Sequence, residues 1–339
     1  MNARKCLFCY RELDSDADEN SGYHPVCSKK IFGSIVPPVL PYTRNQIDEL
    51  ALDVIRSQTA VTGVQPKLSL DILKEKEEKE TRSRNDEKIG SFSPAPKKTQ
   101  RFTIVGLWGR YILKPQSSRY PNLPELEDVT MHLAELSKIK VVPHSLIRFA
   151  DGELCYITKR IDRDEKGHKY YMEDMCQLTE KMTEHKYKGS YEQIQKVIKE
   201  HSQKPNLDTI SFCEQLIFCF LTGNADMHLK NFSLIKDKSN EYRLSPAYDM
   251  LATKIVLPED LEETALMLGG KKRKIGKDTF EKMFDTMAVD QKYRQSIFKN
   301  FKETIPPWFD FIDKSFLPDE MKEKYKILIK ERAERLELL

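Results

Sequence analysis

Residues 221–232, "LTGNADMHLKNF", decide how the rest of the chain reads. A carboxylate, an imidazole, a lysine and two amides crowd into this stretch, directly after the apolar run "SFCEQLIFCF" at 211–220. The apolar run predicts a core helix over residues 207–222 that stops at Gly223, where glycine tolerates the left-handed conformation that closes many helices. The polar residues are then either the wet end of a buried helix or the edge of a site that the helix positions. Asp226 and Asn231 stand five residues apart.

With 339 residues the chain has room for one large domain or two lobes. Its 56 basic and 53 acidic side chains leave a formal charge of +3, too weak a field to argue for direct binding to nucleic acid or to a membrane. No apolar stretch approaches the roughly 20 residues of a membrane helix. The start, "MNARKCLFCYRELDSD", lacks the apolar core of a leader, so a cytoplasmic location is expected. Cys155, Cys176, Cys213 and Cys219 sit among apolar neighbours and are expected to be buried thiols, with no disulfide framework.

The remaining cysteines form a different pattern. Cys6 and Cys9 have C-x2-C spacing, and His24 and Cys27 follow. Two thiolates from such a turn can bind one side of a tetrahedral zinc ion, with His24 and Cys27 closing the other. Four protein ligands leave no open position, so the expected role is structural; the alternative is reduced cysteines and a surface histidine in a mobile terminus. Glu12, Asp14, Asp16, Asp18 and Glu19 would repel phosphate, which argues against a nucleic-acid finger.

Elsewhere the first half reads as strands and the second as helices. "PYTRNQIDELALDVIRS" (41–57) predicts a helix with Thr43 at its N-cap. A strand–turn–strand about Gly63 is expected next, then a charged, mobile loop at 74–100 that is poor in large apolar groups. "RFTIVGLWGRYILKPQ" predicts two strands around Gly106 and Gly109, with Lys114 ending the second. Leu126, Val129, Leu133 and Leu136 mark an amphipathic helix, and Asp151–Gly152 marks a hairpin. Further helices are expected at 191–201, 278–288 and 321–337, with short strands at 232–235 and 242–244.

That order is the order of a kinase catalytic core. Asp226 and Asn231 have the spacing of the D-x4-N catalytic loop, in which Asp orients the attacking hydroxyl and Asn binds magnesium. Asp249, delivered by the following hairpin, supplies a second magnesium carboxylate. Amides around Gly63, in Thr62, Gly63, Val64 and Gln65 with Lys67 behind them, would cover the phosphates. Lys114 would pair with those phosphates, oriented by Glu127 or Glu125. The ordinary readings are a plain hairpin at Gly63 and a snorkelling lysine at 114, so only the combination carries weight.

The motifs "TGVQPKLSL", "YILKPQSSRYPNLPELEDVTMHLA", "YITKRIDRD", "EDMCQL", "GNADMHLKNFSL", "LSPAYDML" and "ALMLGGKKRKI" resemble, in order, those of the HipA-like serine/threonine kinase toxins, especially the short HipT-type members. The resemblance spans roughly residues 60–335. It implies an α+β, two-lobed protein-kinase-like fold, with a strand-rich small lobe at 41–162 and a mainly helical large lobe at 163–339; the zinc-binding segment expected at 1–40 from its cysteine spacing precedes them. It also implies an ATP- and Mg²⁺-dependent kinase of a bacterial toxin–antitoxin module that phosphorylates an aminoacyl-tRNA synthetase. By the same resemblance Asp226 is the base, Asn231 and Asp249 hold magnesium, and Lys114 contacts ATP. Lys159, Arg160 and Ile161 form the adenine hinge, followed by the pair Asp162 and Arg163. Lys230 would neutralise charge on the transferred group, and His228 would brace the loop or act within it.

Two departures stand out. Family members silence themselves by phosphorylating a serine of the glycine loop; this chain has Ala60 and Thr62 at the corresponding positions, so Thr62 is the expected target, with Thr59 and Ser57 behind it. The small β-rich subdomain that opens the long members is replaced by the cysteine segment. That suggests a HipS-like small protein as partner beside a HipB-like helix-turn-helix antitoxin, through which alone DNA would be reached. The rival readings are a small-molecule or lipid kinase and a non-catalytic kinase-like scaffold.

Overall fold

The structure, a computed structural model of the chain, describes residues 5–14, 18, 21–47, 49, 67–73, 100–105, 108–164, 166–236 and 240–339. The glycine-loop positions Ser57, Thr59, Thr62, Gly63, Val64 and Gln65 therefore lie outside the described residues, as do Gly106 and nearly all of the 74–100 loop.

Five antiparallel strands form the first sheet: β1 (Leu68–Leu73), β2 (Arg101–Ile104), β3 (Tyr111–Lys114), β4 (His144–Arg148) and β5 (Leu154–Lys159), in the order β2-β1-β3-β5-β4. In β3, Tyr111, Leu113 and Lys114 are buried, and Lys114 lies opposite Tyr156 of β5. The hairpin at Asp151–Gly152 and the strands on either side of Gly109 are as the alternation predicts. At Thr43 a capping box forms: Thr43 N–H donates to Gln46 Oε1 at 2.9 Å and Gln46 N–H to Thr43 Oγ1 at 3.4 Å. Helical residues 44–47 and 49 follow; the rest of that expected helix is outside the described residues.

Helix α1 (Pro25–Phe32) follows the cysteine segment, and α2 (Leu123–Leu136) crosses the sheet. Nearly every residue of α2 up to Ala134 is buried, because the sheet covers one side and helix α8 the other. Its polar residues Glu125, Glu127, Asp128 and His132 are consequently buried too, and each needs a partner.

The second half is helical around a three-stranded antiparallel sheet of β6 (Met172–Asp174), β7 (Ser233–Lys236) and β8 (Tyr242–Leu244). Its helices are α3 (Met175–Leu178), α4 (Tyr191–His201), α5 (Pro205–Leu221), α6 (Thr253–Val256), α7 (Lys277–Thr286), α8 (Gln291–Lys314) and α9 (Asp319–Arg335). Helix α5 is the predicted core helix. Phe212, Ile217, Phe218, Phe220 and Leu221 are each 1% exposed or less. Asp208 near its start accepts from Ser202 Oγ, the Arg243 guanidinium and the Leu244 amide, which locks the helix to β8.

Helix α8 is absent from the sequence-based expectations. It runs through Pro306 and Pro307, residues that remove two backbone donors and ordinarily end a helix. Burial of Ile297, Phe301, Ile305, Trp308 and Ile312 on one stripe holds it together. One continuous apolar core joins the cysteine segment, the first sheet and the helices. Cys155, Cys176, Cys213 and Cys219 are buried and unbridged, as expected. Among the described residues no helix is long and apolar enough to cross a membrane.

Candidate active site

Helix α5 ends at Gly223, whose φ of 68° is left-handed. A side chain there would meet Leu328 Cδ2 at 2.5 Å, so the turn needs glycine for both space and backbone angle. The chain then runs through Asn224 to Asp226, tethered by Lys254 N–H to the Gly223 carbonyl (3.0 Å) and by Ala225 N–H to Thr253 Oγ1 (2.9 Å). Asn231 Nδ2 donates to the Asp226 carbonyl at 2.9 Å, closing the loop across its five-residue spacing and leaving Oδ1 as the oxygen able to bind a metal. Tyr191 Oη holds the Met227 carbonyl at 3.0 Å, and Tyr248 Oη holds that of Lys230 at 3.1 Å.

Tyr248 precedes Asp249, which sits at a φ of 60°, uncommon for any residue but glycine. Its carboxylate meets two lysines: Lys67, just before β1, at 3.0 Å through Oδ2, and Lys114, at the end of β3, through Oδ1. On its other side Lys114 pairs with Glu127 Oε1 at 2.5 Å. Of the two expected acids it is Glu127 that orients the lysine. Glu125 instead accepts from Gln116 Nε2 at 2.7 Å and from Asn122.

These charges tune one another. Burial would lower the Lys114 pKa, but Asp249 and Glu127 outweigh it and hold it above the ordinary lysine value. Burial likewise pushes Asp249 upward, and the two lysines reverse this, keeping it far below the usual carboxylate range. Glu127 goes the other way: burial raises it, Lys114 only partly offsets that, and it stands at about 7. Asp249 thus has the stronger hold on the shared ammonium.

Other expected residues fall as follows. The Lys230 ammonium pairs with Asp174 at 2.8 Å, and Asp174 also caps α3 by accepting from Gln177 N–H. His228 is buried and its imidazole packs edge-on against Tyr187, with centroids 5.1 Å apart. Burial lowers its pKa, and among the described residues its Nδ1 finds no hydrogen-bond partner, so the bracing is by packing rather than by a bond from that nitrogen. The Lys159 and Arg160 amides donate to the Pro143 and Arg110 carbonyls, both at 2.8 Å. Arg160 forks onto Asp162 at 2.8 and 2.7 Å, and Arg163 lies over the Trp108 ring.

Two participants escaped the sequence reading. Tyr187 Oη donates to Asp226 Oδ1 at 2.7 Å, brought there by the bond from Leu229 N–H to the Lys186 carbonyl (3.1 Å). Burial and the Asp226 charge both raise the Tyr187 pKa, so its hydroxyl stays protonated. Asp174 was the other; it lies in the motif "EDMCQL", and its capping pattern with Gln177 marks it as well.

At the far side of α2, Cys6, Cys9, His24 and Cys27 come together as their spacing predicts. One ligand atom from each lies within 4.8 Å of all the others.

A strand-rich lobe supplying a lysine–glutamate pair, and a helical lobe supplying Asp226, Asn231 and Asp249, make an α+β fold of the protein-kinase-like class. The HipA-like C-terminal domain profile matches residues 59–309, and the chain belongs to that family. A Haemophilus influenzae relative named "Putative kinase" is 28% identical over 318 residues, covering 90% of this chain and 83% of its own. Sinorhizobium fredii "Putative kinase Y4dM" is 29% identical over 234 residues, 66% of this chain and 54% of its own. Among solved structures, HipA of Shewanella oneidensis MR-1, in complex with HipB and operator DNA, superposes with a TM-score of 0.61 at 18% identity, covering 88% of this chain and 71% of that one. The Helicobacter pylori proinflammatory kinase CtkA gives 0.50 at 17% identity, covering 67% and 85%. The chain is a HipA-like kinase, and kinases of this fold generally use ATP with Mg²⁺.

Proposed function

We propose that the chain is a serine/threonine protein kinase and the toxin of a HipBA- or HipBST-like module, with an aminoacyl-tRNA synthetase as its substrate. The observation that carries the catalytic reading is the Glu127–Lys114–Asp249 relay opposite the Asp226–Asn231 loop. Asp226 orients the acceptor hydroxyl and takes its proton as the new O–P bond forms and ADP departs. Lys114, released from Asp249 by nucleotide, meets the phosphates while Glu127 keeps its direction, and Lys67 stands beside it. Asn231 Oδ1 and the Asp249 carboxylate are hard oxygen donors that suit Mg²⁺, which would neutralise charge on the β- and γ-phosphates. With the Lys159 and Arg160 amides committed to the sheet, adenine contact falls to Ile161 and to hinge carbonyls. Lys230 is a supporting charge held in reserve on Asp174.

The likeness to a HipA solved with HipB and DNA supports a helix-turn-helix antitoxin as partner; a HipS-like protein is the further candidate. Zn²⁺ in the cysteine–histidine group completes the cofactor set, in a protein of the cytoplasm. Thr62 is proposed as the self-phosphorylated residue, because about two negative charges beside the triphosphate would repel nucleotide. A Thr62→Ala protein that takes up as much phosphate as wild type refutes that assignment.

The deciding experiment incubates bacterial lysate with the purified chain and γ-labelled ATP, beside an Asp226→Asn control. Label on a synthetase, seen with wild type alone, is expected. Label on a metabolite or lipid would make it a small-molecule kinase; an Asp226→Asn protein as active here, and as toxic when expressed in cells, as wild type would make it a scaffold.

A further inference from the structure

We propose that Cys6, Cys9, His24 and Cys27 hold one Zn²⁺ ion and that the turn it closes is a clamp on α2, fixing the helix that aims Glu127 at Lys114. The catalytic consequence rests on the kinase reading; the metal and the clamp do not.

The ligand geometry fits the ion. Cys9 Sγ lies 3.5 Å and Cys27 Sγ 3.9 Å from His24 Nδ1. Ligands on a zinc tetrahedron, with bonds of about 2.0–2.3 Å, are separated by about 3.3–3.8 Å. His24 Nε2 is 2.9 Å from the Glu12 carbonyl, an acceptor only, so Nε2 carries the proton and Nδ1 turns its lone pair toward the sulfurs. The ligands come from two pieces of chain: the tight turn at Cys6–Tyr10, closed by Tyr10 N–H to the Cys6 carbonyl at 3.0 Å, and the start of α1. A metal that joins them would cross-link two pieces of a short segment that also meet through the bond from Leu7 N–H to the Gly22 carbonyl at 2.9 Å.

The turn grips the kinase core through the residue after Cys9. Tyr10 is 2% exposed and stands at a φ of 62°, a conformation a tyrosine keeps only when its surroundings impose it. Its hydroxyl donates to Asp128 Oδ2 at 2.5 Å, and Asp128, fully buried, adjoins Glu127 on α2. Asp128 Oδ1 also receives His144 Nδ1 of β4 at 2.7 Å. One turn further along α2, His132 is packed by Phe8, Tyr10 and His144 at centroid distances of 5.6, 5.3 and 4.4 Å. The Leu7 carbonyl accepts from Leu146 N–H at 3.3 Å and Ser145 Oγ at 3.1 Å, so sheet and helix are held by the same turn. A helix pinned at Asp128 cannot rotate without carrying Glu127 away from Lys114. Tyr10 and Asp128 are positioning residues that act through Glu127.

The test uses the full chain. Metal analysis is expected to find one zinc per chain, lost in Cys9→Ser. Tyr10→Phe is expected to keep that zinc while amide exchange across residues 123–136 accelerates about tenfold or more, since a buried hydrogen bond to a charged group is lost. Its KM for ATP rises more than its kcat falls. Chelation of wild type reproduces the faster exchange and added Zn²⁺ reverses it, which covers the case of a Cys9→Ser protein that does not fold. A wild-type chain without zinc overturns the metal site. Tyr10→Phe whose α2 exchange changes only in step with the whole protein, at unaltered ATP KM, overturns the clamp. Exchange needs no catalysis, so a chain inert toward ATP would refute the kinase reading and leave the clamp standing.

Discussion

Tyr187 occupies one carboxylate oxygen of Asp226, the proposed base: its hydroxyl donates to Oδ1 at 2.7 Å, with the ring laid against His228. The tyrosine is 44% exposed, so under the proposed function an incoming acceptor hydroxyl can reach and displace it. Any acceptor must compete with this internal hydroxyl for the base. Tyr187→Phe keeps the ring packing and frees Asp226. It is expected to raise kcat/KM for the protein acceptor about five- to tenfold, the worth of a hydrogen bond of about 1–1.5 kcal/mol. An unchanged or lower rate would show that the hydroxyl helps rather than competes.

Glu127 is expected to give the kinase a pH dependence near neutrality. Burial raises its pKa, Lys114 opposes this, and the group stands at about 7 against a reference of 4.5. Lys114 then loses one of its two partners as pH falls through about 7, while Asp249, held far lower, stays ionised. The KM for ATP is expected to rise as pH drops from 8 to 6, and Glu127→Gln should flatten that profile. Stability runs the opposite way. A pKa raised on folding means that the protonated form is stabilised: the contribution is full below pH 4.5 and is lost as pH rises through about 7. The Tm difference, Glu127→Gln minus wild type, should therefore grow more positive from pH 5 to 8.

Particular residues show why some of this was legible in the sequence. Leu126, Val129 and Leu133 repeat at helical spacing and are all fully buried, so α2 was plain; Leu136, read onto the same face, is 38% exposed where the helix leaves the core. The choice between Glu127 and Glu125 was not legible. Both precede or lie in the same turn, and only the placement of β3 decides which one reaches Lys114. The buried stripe of α8 was written at Ile297, Phe301, Ile305, Trp308 and Ile312, but the Pro306–Pro307 pair speaks locally against a helix that tertiary packing then enforces. Tyr187 left no periodic signal, because its approach to Asp226 depends on a bond between Leu229 and Lys186 that no local pattern encodes. The cysteine–histidine spacing, by contrast, foretold its own cluster, since ligand chemistry is local in sequence.

Lys114 and Lys230 should respond very differently to removal. Lys114 is 5% exposed between two carboxylates, so Lys114→Met leaves buried Glu127 without its cation and Asp249 with Lys67 alone. Its kcat/KM for ATP is expected to fall by a factor on the order of 10²–10³. Lys230 is 36% exposed and its ion pair with Asp174 is of the surface kind, worth about 0.2–1 kcal/mol. Lys230→Ala should lower stability by no more than that and activity less than tenfold. A loss under Lys230→Ala as deep as under Lys114→Met would show that this ammonium leaves Asp174 to meet the transferred group.

Gly223 links the stability of the core to the geometry of the site. Alanine there would hold a φ of 68° and place its Cβ 2.5 Å from Leu328 Cδ2 and 3.0 Å from Lys254 Cβ. The backbone strain alone costs about 1–3 kcal/mol, and relief of the contacts must turn the Leu328 side chain and shift the Lys254 turn. Because the Gly223 carbonyl accepts from Lys254 N–H, and Ala225 is held by Thr253, any such shift is passed to Asp226 three residues on. Gly223→Ala is thus expected to lower the unfolding free energy measured in urea by at least about 1 kcal/mol and, at temperatures where it remains folded, to lower kcat more than it raises the KM for ATP. A variant with weakened stability but wild-type kcat would show that α5 supports the core without setting the position of Asp226.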